Sequence, residues 1–370
     1  MNKVKLIAFY LPQFHTFKEN DLWWGEGFTE WRTVKNAKKL FSGHDQPRVP
    51  YNDNYYCLND NGDTLQWQAE LAKQYGVYGF CMYHYWFDGK MLMEKPMEIL
   101  LARKDIDTHY CICWANENWT RAWADKTQEV LIEQHYGDQS DWKRHFEYFL
   151  KFFKDPRYIL KDNKPVLVIY RPEIIPTRNE MFELWDKMAK ANGFDGIHLL
   201  YQQNKYNPEN DAAGKWFDSG IEYQPQYAMS LVNNKWHRIP YNIHSALNYF
   251  SDKTKLFWNK GLAFRHSYDK LWKSILSDFP KRENMYPGAF VDWDNTPRHK
   301  KRGSYCEGVT PEKFEWYLKQ QIARTIDVYK KDMLFIFAWN EWGEGGYLEP
   351  DESNKYAYLE AIRSAMENVE

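Results

Sequence analysis

Eight short apolar runs, each separated from the next by enough chain for a helix, restrict the folds open to this sequence more than any other feature. They are VKLIAFYLP from Val4, VYGFCMYHYW from Val77, HYCICWANE from His109, KPVLVIYRP from Lys164, GIHLLYQQN from Gly196, SGIEYQPQY from Ser219, YPGAFVDWDN from Tyr286 and MLFIFAWNEW from Met333. Amphipathic helical patterns lie between them, clearest from Thr64, from Glu180 and from Pro311. Gly193 is a natural stop for the second pattern, and Thr310 followed by Pro311 is a natural start for the third. Buried-type strands alternating with helices imply parallel strands joined by crossovers. Eight such units predict an α/β fold, a (β/α)8 TIM barrel, with residues 1–370 forming a single domain.

The runs end alike. Each finishes in polar or aromatic residues, at positions 10–15, 83–86, 114–119, 170–173, 201–204, 223–227, 292–295 and 339–344. In a barrel those tips share one rim, the face where active sites sit. An open doubly wound sheet also gathers strand tips, but it does not need eight, and the sequence has neither G-x-G-x-x-G nor G-x-x-x-x-G-K-[ST]. The longest excursion, residues 227–285, reads as an insertion between the sixth and seventh strands. Residues 12–61, rich in Trp, Gly and Pro, are expected to fold over the strand tips.

Charge and cysteine content exclude several function classes. Lys+Arg 49 against Asp+Glu 51 gives 49 − 51 = −2, so no global field draws the chain to nucleic acid. The five cysteines are few and odd in number, and read as reduced, mostly buried thiols; no spacing calls for a metal or another cofactor. The N-terminal apolar stretch stops at Pro12, too short for a signal peptide, and no stretch is apolar enough for a transmembrane segment, so a cytoplasmic location is expected. Aromatic residues make up 18% of the chain, including 18 Trp and 27 Tyr, too many polar-ended rings to serve only as core filler.

A rim of Trp, Tyr, Asn, Glu and Asp is what a sugar-binding cleft requires: rings cover the apolar faces of a pyranose, and amides and carboxylates take its hydroxyls. Glycosyl transfer generally needs paired carboxyl groups around the reacting carbon. In AWNEWGEGGYLEPD, from Ala338, Glu341 and Glu344 stand three apart, so they converge only if the chain turns between them, and Gly343, Gly345 and Gly346 would allow that turn. Trp339, Asn340 and Trp342 crowd the same spot as candidate ligand contacts; the plain alternative for the two glutamates is a structural turn whose carboxylates cap backbone amides or pair with an arginine. An alternative pair is Glu173 with Asp292 or Asp294, although Arg171 beside Glu173 offers a plain ion pair. Other candidate ligand contacts are Tyr10, His84, Tyr85, Trp114, Asn116, Glu117 and Trp119. The basic run from Arg298 reads either as a solvated loop or as a clamp for a phosphate-bearing or lipid-linked glycan.

The blocks IAFYLPQFH, WWGEGFTEW, GHDQPRVP, YHYWFDGK, CWANENWTR, DWDNTPR and WNEWGEGGYLEPD resemble the WbsX-type family, glycosyltransferase-like proteins of bacterial surface-polysaccharide biosynthesis related to glycoside hydrolase family 99. The resemblance spans nearly the whole chain. It implies a (β/α)8 barrel acting on α-linked, mannose-type glycans, as a hydrolase or transglycosylase associated with O-antigen or capsule assembly. It further implies retention through the substrate's own 2-hydroxyl, with Glu341 as base to that hydroxyl and Glu344 as general acid and base. A glycosyltransferase with a nucleotide-sugar or lipid-linked donor and a non-catalytic glycan-binding barrel stand as alternatives.

Overall fold

The computed structural model describes residues 4–121, 129–204, 216–232, 263–280 and 284–367. Every one of the eight apolar runs forms a strand. Six become β1 (Lys5–Tyr10), β2 (Gly79–Phe87), β3 (His109–Trp114), β4 (Lys164–Ile169), β5 (His198–Gln203) and β6 (Ser219–Glu222). The seventh gives two short strands, β7 (Met285–Tyr286) and β8 (Gly288–Phe290), and the last gives β9 (Met333–Phe337). All pair in parallel in the order β7-β6-β5-β4-β3-β2-β1-β9-β8. Pro287 divides the seventh run because it has no N–H for the ladder. The piece before it pairs with β6 and the piece after it with β9, so one interrupted strand closes the barrel. The Pro287 carbonyl still accepts from the Phe335 N–H at 3.2 Å.

Helices surround this sheet. They are α1 (Lys18–Trp24), α2 (Glu30–Lys35), α3 (Asp63–Gln74), α4 (Lys95–Ala102), α5 (Gln139–Phe153), α6 (Arg178–Ala191), α7 (Gln226–Val232), α8 (Tyr268–Ser277), α9 (Thr296–His299), α10 (Pro311–Asp327) and α11 (Ala357–Glu367). The three clearest sequence patterns correspond to α3, α6 and α10. Thr310 caps α10 by accepting from the Lys313 N–H, which satisfies one of the helix's orphan donors. Within the expected insertion, α8 packs on the barrel wall, its Trp272 ring 5.3 Å from both Phe290 and Tyr317; residues 233–262 of that insertion lie outside those described. Among the described residues no helix is long and apolar enough to cross a membrane. All five cysteines are unpaired, and Cys81, Cys111 and Cys113 are buried.

Strand alternation sends one set of side chains into the barrel and the other to the helices. Phe9 points in, with its ring 5.8 Å from Tyr83, 5.1 Å from Tyr223 and 5.9 Å from Phe335. Its neighbour Tyr10 points out, and its hydroxyl donates to Gln68 Oε1 on α3 at 2.7 Å. Residues 12–61 do fold over the rim: Trp31 of α2 packs on Phe14, Tyr56 and Trp342.

Candidate active site

After β9 the chain makes a tight hairpin. Asn340–Glu341 pairs antiparallel with Gly346–Tyr347, and Trp342–Glu344 forms a single 3-10 turn between them. Of the three glycines, Gly345 alone is left-handed, at φ 68°, and its N–H closes the turn onto the Trp342 carbonyl at 3.3 Å. Gly343 is required for space instead: a Cβ there would lie 2.0 Å from Glu30 Oε1 and 2.7 Å from Arg298 Nε. A Cβ on Gly346 would strike the Phe337 ring at 2.1 Å. The turn thus presents its two acids while two buried side chains slide in beneath it.

Those two side chains make a cage. The Arg298 guanidinium meets Glu30 Oε1 through Nε at 2.8 Å, Glu341 Oε2 through Nη2 at 3.1 Å and Glu344 Oε1 through Nη1 at 2.9 Å. Arg298, Glu30 and Glu341 are buried, and Glu344 keeps 18% of its side chain exposed. Burial works against the Arg298 charge, but the three carboxylates more than offset it and hold the group cationic. One cation cannot balance three ionised acids. Burial pushes the Glu341 carboxyl up to about 8, with Arg298 opposing and the Glu344 and Glu30 charges adding to the rise. Burial likewise raises Glu30. The expected phosphate clamp therefore does not hold for Arg298, whose donors face carboxylates of its own chain.

Glu341 and Glu344 border one cavity of about 160 Å³ at the strand tips. Aromatic side chains wall it, namely Tyr83, Tyr85, Trp119, Tyr170 and Tyr223, while Glu117, Asn118, Gln226 and Arg298 add polar groups. The Tyr83 and Tyr223 hydroxyls meet at 2.9 Å across the barrel interior. Arg171 steadies the Glu117 carboxylate at 2.6 Å and pairs with Glu173 at 2.7 Å, so the bland reading of Glu173 is the one its geometry shows.

Of the residues singled out in the sequence, Tyr85, Glu117, Trp119 and Arg298 line this cavity with the two glutamates; the others do not, for identifiable reasons. His84 lies between Tyr83 and Tyr85 on the opposite face, its Nε2 3.0 Å from His145 Nε2 on α5. Burial pushes His84 down to about 3, which makes it half of a neutral structural pair. Trp114 faces outward too, against His145 and Trp185. Tyr10 is turned to α3, as described above. Asn340 and Asn116 are backbone clips: Asn340 joins both the N–H and the carbonyl of Leu11, and Asn116 does the same for Arg171. Trp339 and Trp342 both donate their indole N–H to buried Glu349, which also accepts from Gln68 and Tyr56. Asp292 is paired with Arg48 at 2.6 Å. Asp294 accepts from His44, Gln46 and Thr296; burial opposes its charge, but these bonds and the Arg48 charge keep its pKa below the usual value.

Sequence reasoning missed Glu30, Tyr83, Asn118, Tyr170, Tyr223, Gln226 and Glu349. Parity with Tyr85 would have found Tyr83. Nothing in the spacing points from Glu30 to Arg298, 268 residues away.

The buried acids predict an alkaline instability. Glu222 and Glu341 are raised to about 8 and Glu349 to about 7, each mainly by burial. Between their unfolded and folded pKa values the native state binds more protons than the unfolded one. Stability from these groups is therefore full below the unfolded value and is lost as pH rises through 7 to 8. The melting temperature should fall between pH 6 and pH 9; a flat or rising profile over that window contradicts the assignment.

A sequence profile of the family described as "Glycosyltransferase WbsX" matches residues 6–362. Two curated relatives from Xanthomonas campestris pv. campestris, strains B100 and ATCC 33913, both described as "Uncharacterized protein WxcX", are 34% identical over 98% of this chain. The chain spans about half the length of those relatives, 49% in each case. Among solved structures, the family 99 endo-α-mannosidase from Bacteroides thetaiotaomicron is similar with a TM-score of 0.57 at 14% identity, over 98% of this chain and 96% of that one. A "Glycoside hydrolase-like protein" is similar with a TM-score of 0.59 at 14% identity, over 99% and 94%. At that identity the likeness establishes the barrel.

Proposed function

We propose a function from one premise: the chain belongs to the WbsX glycosyltransferase family. Its barrel is related in fold to family 99 glycosidases, and it is a carbohydrate-active enzyme that breaks and remakes α-linked, mannose-type glycosidic bonds with retention. The observation that carries this is the placing of Glu341 and Glu344 on one wall of an aromatic cavity, gripped by adjacent nitrogens of one guanidinium. A conventional retaining pair holds its carboxyls about 5–5.5 Å apart, one acting as a nucleophile in line with the leaving group. Two acids on a single turn suit a reaction whose nucleophile belongs to the substrate.

Glu341 takes the proton of the sugar's 2-hydroxyl as O2 attacks the anomeric carbon. The bond from that carbon to the leaving oxygen breaks, and Glu344 protonates the leaving oxygen. The resulting 1,2-anhydro sugar is opened by water or by the hydroxyl of a second sugar, whose proton returns to Glu344, while Glu341 gives its proton back to O2. Two inversions at one carbon give retention. With one Arg for three carboxylates the cluster keeps a proton near neutral pH, and the reaction needs it on Glu344. Residence in surface-polysaccharide assembly fits the family, with water or a sugar acceptor deciding between hydrolysis and transfer.

Glu344→Gln tests the acid role. A glycosyl fluoride needs no proton on its leaving group, so kcat/KM of the variant, which reads the first step before Glu344 serves as base, should stay within about tenfold of wild type on the fluoride while falling about 10²–10⁴-fold on an alkyl glycoside. Equal losses on both substrates would take the acid role away from Glu344. Complete inertness of the wild type toward every α-glycan would leave a binding barrel.

A further inference from the structure

A second and larger cavity, of about 630 Å³, also borders Arg298. It lies between α2 with the chain following it and α9. Phe28, Leu40 and Pro297 give it apolar walls, and Arg32, Lys38 and Lys300 give it three more cations; no acidic residue lines it. This is local, since the whole chain carries a net charge of −2. Elsewhere the arginines beside the site are matched: Arg48 with Asp292, Arg171 with Glu117 and Glu173, Arg298 with its three glutamates. Among the described residues no ion pair joins Arg32, Lys38 or Lys300 to a carboxylate.

Arg32 is exposed yet fixed. Its Nη1 donates to the Trp24 carbonyl at 3.1 Å and its Nη2 to the Glu26 carbonyl at 2.6 Å, leaving N–H groups to spare. A fixed guanidinium fork matches the oxygens of a phosphate, and two lysines add mobile point charges. Three like charges around one cavity repel each other until an anion arrives. A single carboxylate neutralises one of them, whereas a phosphate or diphosphate neutralises two or more.

We propose that this cavity binds a phosphate or diphosphate group carried by the glycan substrate, with the sugar across Arg298 in the catalytic cavity. This relocates the phosphate contact from Arg298 to Arg32, Lys38 and Lys300, and it rests on the neighbouring cavity being the sugar-processing site. The same chemistry could come from a nucleoside diphosphate or from a lipid diphosphate.

Calorimetric titration of the whole chain at low ionic strength, with inorganic pyrophosphate, uridine diphosphate and a short alkyl diphosphate, tests the proposal without turnover. At least one should bind, more weakly as salt rises, and binding should fall by at least about tenfold in Lys38→Gln/Lys300→Gln, an exposed pair whose exchange leaves the core untouched. Tighter binding of uridine diphosphate identifies a nucleotide source, tighter binding of the alkyl diphosphate a lipid source, and equal binding a phosphate on the glycan itself. Absence of binding by all three, or binding undiminished in the double variant, overturns the inference. Normal glycan turnover by Glu344→Gln would instead sink the catalytic reading and leave the anion site standing.

Discussion

Glutamine in place of Glu341 is expected to lower kcat on an unactivated α-linked glycan by about 10³-fold, the scale of a lost general base. The amide keeps the size of the side chain and a hydrogen-bond acceptor toward Arg298, while Glu30 and Glu344 continue to hold the guanidinium. Folding should therefore be near normal, and the loss should be chemical. The pH profile adds a sign that a structural role would not produce. The reaction needs the cluster singly protonated, with Glu341 ionised and the proton on Glu344, and burial raises Glu341 to about 8, so kcat/KM of the wild type should fall as pH rises past about 8, above the interval where ordinary carboxylates titrate. The residual activity of the variant should lack that limb. A glycosyl fluoride should not rescue it, because the missing step is removal of the 2-hydroxyl proton rather than help to the leaving group. A variant that keeps wild-type kcat, or a wild type that turns over a 2-deoxy substrate rapidly, excludes the role.

Arg298→Ala should be the most damaging single change to the fold at this rim. It strands two buried carboxylates, Glu30 and Glu341, and one partly buried, Glu344. Removing one partner from a buried ion cluster costs about 3–5 kcal/mol, because the remaining charges lose their counter-ion without regaining water. Denaturant unfolding at pH 7 reads that loss directly. The deficit should shrink as the pH is lowered toward 5, where protonation relieves the stranded acids; a deficit independent of pH would mean that packing, not charge, is what Arg298 supplies. Arg298→Lys should recover part of the stability and little of the activity, since a point-like ammonium cannot meet three carboxylates in the geometry of a guanidinium. Gly343→Ala attacks the same cage from the turn, pushing a methyl into Glu30 and Arg298.

The barrel was legible because its evidence repeats: eight buried-type runs spaced by helical patterns leave few alternatives, and all eight formed strands. The single irregularity, the break at Pro287, is also written in the sequence, since proline cannot continue a ladder. The pair Glu341 and Glu344 was legible through its glycines, although only Gly345 serves for its backbone conformation, while Gly343 and Gly346 serve for the space they leave. Individual ligand contacts were harder. Being at a strand tip does not make a residue face inward, and a one-residue change of parity exchanges Tyr83 for His84 or Phe9 for Tyr10. Polar side chains near the rim had a second demand on them as well. A rim built of irregular backbone leaves carbonyls and N–H groups to satisfy, and Asn116 and Asn340 are used for that. The two tryptophans around Glu341 looked like a sugar platform, but their indole N–H groups are held by Glu349, a buried acid lying beyond the turn. The Arg298 cage depends on a contact between positions 30 and 298 that only the folded barrel brings together.

The most direct test of the central claim, that both acids of the final turn face one pyranose, is a co-crystal structure with a mannose-configured 1,2-anhydro analogue. The account predicts a Glu341 carboxylate oxygen within about 3 Å of the bridging atom that replaces O2, and Glu344 within hydrogen-bond reach of the face where water or an acceptor would approach the anomeric carbon. An analogue bound among Tyr83, Tyr85 and Tyr223 with both carboxylates still turned to Arg298 and away from the ring would contradict it.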